Sequence, residues 1–118
     1  MTNPVAPTTP LTINGVQYDL LFDLEAVAQA EELLDRPLLT GLRQRDMYTP
    51  TISLVRAMLF ACIHAKHDGL SFDLVKSFVT RKNLAEIWGA VLTAWTKGHA
   101  EPDADEAEAE PDPTTGQN

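Results

Sequence analysis

The chain has 118 residues, a net charge of −8 and a single cysteine, which bounds it to one domain with one hydrophobic core and excludes an internal disulfide framework. Seven acids from Glu101 to Asp112 follow Gly98 without a base, leaving ten acids against nine bases ahead of them. A near-neutral domain without a basic stripe is a poor phosphate binder, so nucleic acid falls low among expected partners.

Residues 1–10 are rich in Pro and Thr, and residues 99–118 are rich in Asp, Glu, Ala and Pro. Neither composition buries enough apolar surface to offset ordering entropy, so both ends are expected to be disordered. The first ten residues contain no base, which fits neither a secretion signal nor an arginine-rich transit sequence. The longest strongly apolar stretch, Met58 to Ile63, is far short of the roughly 20 residues a bilayer requires. Cys62 lies within that stretch, and an unpaired buried cysteine suits a reducing cytoplasm. A soluble, cytoplasmic protein is expected.

Residues 11–98 read as a mostly α, α+β domain: an N-terminal β-hairpin followed by a compact set of four to five helices. Asn14-Gly15 between Leu11-Thr12-Ile13 and Val16-Gln17-Tyr18-Asp19-Leu20 predicts a type I′ hairpin, because both central residues of that turn need positive φ. Asp23 caps the first helix, with Leu24, Val27, Ala28 and Leu34 on one face, and Arg36-Pro37 breaks it. Leu38 to Leu42 predicts a short second helix, weakened by Gly41.

Thr49-Pro50 predicts the start of a third helix that runs to about Lys66, before Asp68-Gly69. Its stripes Ile52, Val55, Leu59, Cys62, Ile63 and Leu54, Met58, Ala61, Ala65 leave most of its circumference apolar, so it belongs in the middle of the fold. Ser71 caps a fourth helix carrying Phe72, Val75, Phe78 and Val79. Asn83 caps a fifth, with Glu86 placed to reach back to the Asn83 N–H and Gly98 as a left-handed terminator. Leu84, Ile87, Trp88, Val91, Leu92 and Trp95 make that helix amphipathic.

Catalytic and metal chemistry find little to stand on. Cys62 and His64 lie about 200° apart on a helix turning roughly 100° per residue, so they cannot share an ion, and His64 with His67 makes only two ligands. Cys62 reads as inert packing. Glu31 lies towards the apolar face, with Arg36 or Arg43 as its expected partner. No catalytic, cofactor-binding or metal residue and no cofactor is expected. Ser53, Arg56, Phe60, His64 and His67 form a stripe opposite the main apolar face of the third helix. An aromatic in such a stripe is either a further core contact or a binding anchor. Arg56, Phe60 and His64 are therefore the candidate partner-binding residues.

Three segments together resemble the small tail assembly chaperones of long-tailed phages and gene transfer agents: Asn14 to Leu24 with its Gly-x-x-Tyr hairpin and alternating leucines, Ala26 to Leu34 around Glu31-Glu32, and Leu54 to Ala61. Asn83-Leu84-Ala85-Glu86-Ile87 is similar to the start of that family's last helix. The resemblance implies a non-enzymatic chaperone in the host or donor cell cytoplasm that binds the tape measure protein and keeps it soluble while the tail tube polymerises. It implies tail tube subunits and a homo-oligomer as further partners, and neither nucleic acid nor membrane. The alternatives are a small helical DNA-binding regulatory protein, suggested by Thr80-Arg81-Lys82-Asn83 between the fourth and fifth helices, and an enzyme subunit.

Overall fold

The computed structural model describes residues 8–39 and 42–100. Strands β1 (Thr9–Ile13) and β2 (Val16–Leu20) pair antiparallel with Ile13 opposite Val16 and Thr9 opposite Leu20. Asn14 and Gly15 take φ of 53° and 83°, the positive values that the two-residue turn demands. Thr9, Leu11 and Ile13 point inward and alternate with exposed residues, the period of a half-buried strand. Strand β1 thus takes in Thr9 and Pro10, slightly ahead of the boundary expected at residue 11.

Five helices follow, α1 (Leu24–Leu34), α2 (Gln44–Tyr48), α3 (Ile52–His64), α4 (Phe72–Phe78) and α5 (Leu84–Ala100). Asp23 caps α1 by accepting from the Ala26 N–H at 2.9 Å, and Asp35 ends it with φ 54°. The buried face of α1 is Ala26, Val27 and Ala30, whereas Leu24 and Ala28 are exposed and Leu34 is half-buried. The expected face was rotated because Leu24 sits in the first turn beside the cap.

The expected helix over Leu38–Leu42 does not form, since Leu38, Leu39 and Leu42 are non-helical and Thr40 and Gly41 lie outside the described residues. The second helix comes later, at Gln44. Asp46 starts it by accepting from the Arg43 N–H at 3.1 Å, half of a capping box.

Helix α3 is the central element, with nine buried residues from Leu54 to Ile63 and contacts to α1, α4, α5 and β2. Its cap is Thr51, whose hydroxyl accepts from the Leu54 N–H at 3.1 Å. Pro50 therefore precedes the cap instead of occupying the first turn. Ile52, expected in the core stripe, is 44% exposed, because a first-turn side chain leans back past the helix end.

Ser71 caps α4, accepting from the Leu74 N–H at 3.1 Å. Asn83 does not cap α5 as expected: its Oδ1 accepts from the Thr80 N–H at 2.7 Å, while its own N–H donates to Thr80 Oγ1 at 3.3 Å. Glu86 is thereby displaced from the capping-box role.

The core side of α5 is Ile87, Trp88, Val91, Ala94 and Trp95. Among the described residues no helix is long and apolar enough to cross a membrane. The disorder expected of residues 1–7 and 101–118 lies outside the described residues.

Gly98 does not terminate α5, which runs on to Ala100. Its lack of a side chain serves packing instead: a Cβ there would overlap the Phe22 carbonyl oxygen and meet the Phe22 Cβ at 3.2 Å. Phe22 also sets its ring edge-on against Trp95 at 5.2 Å between centroids, so this is where the end of the hairpin segment is pinned to α5. Gly89, in the same helix, has nothing within 4 Å of its missing Cβ.

The two glycines should respond to alanine with opposite signs. Gly89→Ala should stabilise by about 0.5–1 kcal/mol through helix propensity. Gly98→Ala should destabilise by about 1–3 kcal/mol, because overpacking against a backbone carbonyl exceeds the propensity gain near a helix end. Chemical denaturation of both variants measures the difference, and equal shifts would refute the close approach.

Candidate protein-interaction site

Eight large apolar side chains are exposed among the described residues, and five of them, Leu33, Leu39, Met47, Tyr48 and Ile52, fall between the last turn of α1 and the first residue of α3. Single exposed apolar residues are ordinary, whereas their concentration in one segment is not. Tyr48 is 76% exposed and Leu39 is 61% exposed.

Polar contacts hold several described residues of this segment in place. Glu31 Oε2 accepts from the Leu38 N–H at 2.7 Å and the Leu39 N–H at 3.0 Å. Arg36 Nη2 pairs with Asp46 Oδ2 at 2.8 Å, tying the end of α1 to α2. Trp88 Nε1 donates to the Met47 carbonyl at 3.1 Å, fixing α2 to α5. Beneath them Leu38 is fully buried. The backbone at Leu38, Leu39, Arg43 and Met47 is thus held while apolar side chains beside it face solvent, an arrangement that lowers the ordering cost of binding.

Burial raises the pKa of Asp46, but the hydrogen bond from Arg36, the Arg43 N–H and both guanidinium charges outweigh it and hold the carboxyl below its ordinary value. A depressed carboxyl adds stability above its unfolded-state pKa, near pH 4, and loses it as pH falls through the lower folded-state value. Asp46→Asn should cost about 1–2 kcal/mol at neutral pH. The gap between thermal melts of the variant and the parent should narrow steadily as the pH falls below about 4, and a gap that does not narrow with acidification would contradict the pairing.

The residues singled out in the sequence fall elsewhere. Phe60 is only 7% exposed and packs its ring against Phe72 at 5.3 Å and His64 at 5.0 Å. It is a core contact bridging α3 and α4, so it cannot serve as the exposed anchor. Arg56 is half-buried, and its Nε has no hydrogen-bond partner among the described residues.

His64 lines a groove of about 480 Å³ between α1 and α3. Ala26, Ala28, Ala61 and Ala65 line that groove together with Asp23, Glu25, Glu32 and Asp68. Glu31 is half-buried, but it holds loop backbone N–H groups where an arginine partner was expected. His67 likewise has a structural role, accepting from the Asp19 N–H at 3.0 Å.

Full burial pushes the Cys62 thiol well above its usual pKa, which keeps it from acting as a thiolate. Among the described residues no group of three or more His, Cys, Asp or Glu side chains is placed to hold a metal ion. Helices α4 and α5 pack mainly on α3 instead of on each other, unlike the two helices of a helix-turn-helix unit.

Comparison with protein-family models, curated proteins and solved structures finds no match.

Reasoning from sequence missed Leu39, Met47, Tyr48 and Ile52 as surface residues. The available signal was Met47-Tyr48 following the polar run Arg43-Gln44-Arg45-Asp46, with no apolar periodicity to carry them into a core.

Proposed function

We propose that this chain is a non-enzymatic tail assembly chaperone that binds the tape measure protein and keeps it soluble in the cytoplasm until the tail tube encloses it. The observation that carries the reading is the exposure of Leu33, Leu39, Met47, Tyr48 and Ile52 around a hydrogen-bonded corner. A long helical partner presents apolar faces that aggregate when uncovered, and a small fixed apolar surface can shield one by helix docking. The hairpin and helix motifs similar to the phage chaperones supply the partner's identity.

Co-expression with its cognate tape measure protein tests the reading. The partner's soluble yield should rise, and the two should co-purify through nuclease treatment and chelation. An insoluble partner, or a soluble one that elutes alone, would reject the assignment.

A further inference from the structure

Helix α3 ends against the outer edge of β2, and it does so through two backbone donors of different character. In a two-residue hairpin with Ile13 opposite Val16, Asp19 and Leu21 direct their N–H groups away from β1. This geometry also admits Pro10 opposite Asp19, since a proline there removes no ladder bond. The Leu21 N–H donates to the Cys62 carbonyl at 2.9 Å. The Asp19 N–H donates to His67 Nε2 at 3.0 Å.

The first acceptor cannot titrate and the second can. Nε2 accepts only in the neutral ring with its proton on Nδ1, and protonation turns it into a donor facing a donor. Tyr18 fixes the ring further, meeting it edge-on at 5.3 Å between centroids, and itself stacks on Phe78 of α4 at 5.6 Å.

We propose that His67 is a pH-sensitive latch that fastens β2 to the end of α3 when neutral and releases it at Asp19 when protonated, leaving the Leu21–Cys62 bond in place. The charged groups on the elements meeting here are Asp19 on β2, Lys66 and Asp68 beside His67, His64 one turn back, and the Asp73–Lys76 pair on α4. β1 carries none. Asp68 and Lys66 are exposed, so their opposite charges act through solvent and largely offset. The lost acceptor sets the sign: the latch is closed while the His67 ring is neutral and open once it is protonated.

Hydrogen exchange read by NMR on the full chain, followed as the pH is lowered from about 7.5 to 5, tests the latch. The Asp19 amide protection, corrected for intrinsic rates, should fall about tenfold with a midpoint matching the titration of the His67 ring nitrogens. The Leu21 amide should keep its protection.

His67→Gln offers a non-titrating oxygen and should abolish the pH dependence at Asp19, while His64→Gln should leave it intact. If His67→Gln does not fold, the comparison of midpoints in the parent chain decides. Asp19 protection unchanged while His67 titrates, or Leu21 falling in step with Asp19, would overturn the latch.

Discussion

Phe60→Glu should abolish cooperative folding. The side chain is buried between α3 and α4 against Phe72 and His64, so the substitution removes an aromatic worth about 3–5 kcal/mol. It then adds a carboxylate with no partner, at a further cost of several kcal/mol in a buried site. A domain of this size has about 5–15 kcal/mol in total. The sum consumes most or all of it.

Circular dichroism and a thermal scan report the outcome: loss of the transition is expected, and a native-like melt would mean that Phe60 faces solvent. Leu59→Ala, which truncates a fully buried neighbour on the same helix, should cost about 2–5 kcal/mol and leave a weakened but cooperative transition.

Sequence reasoning went furthest where short-range chemistry decides the outcome. The Asn14-Gly15 turn is set by positive φ, the Asp23 and Ser71 caps by hydroxyl and carboxyl reach, and α3 by its nearly continuous apolar circumference. It failed where a residue's role depends on a distant segment.

Gly98 looked like a helix terminator because its constraint, the Phe22 carbonyl, lies far away in sequence. Glu31 looked like an ion-pair acid and His67 like one of two insufficient metal ligands, whereas Glu31 accepts from the loop N–H groups of Leu38 and Leu39 and His67 accepts from the Asp19 N–H of β2. The candidate site suffered most. Phe60 lies on a polar stripe by helical spacing, yet α4 covers that side of α3, and periodicity on one helix carries no information about what packs over it. The exposed corner was invisible for the converse reason: a five-residue helix after a polar loop has too few turns to display a periodicity.

Tyr48→Asp should sever partner binding while leaving the domain folded. Tyr48 is 76% exposed, so the change should alter stability by no more than about 0.5 kcal/mol. An aromatic at the centre of a protein interface contributes at least about 2 kcal/mol, some thirtyfold in Kd, and a carboxylate placed against an apolar helix adds a desolvation cost. Leu39→Asp should act in the same direction, because Leu39 is held beside Glu31 by the hydrogen bond to its own N–H.

Titration of each purified variant against the tape measure protein, alongside a thermal melt, separates loss of binding from loss of fold. Arg56→Glu and His64→Gln provide the contrast, since both residues lie on α3 and belong to the group the sequence nominated. They should retain binding within a few fold. If Arg56→Glu abolishes binding while Tyr48→Asp and Leu39→Asp retain it, the partner docks on α3 and the corner between α1 and α3 is only surface. If all four variants bind like the parent, the apolar residues of that corner are incidental and the chaperone needs another face.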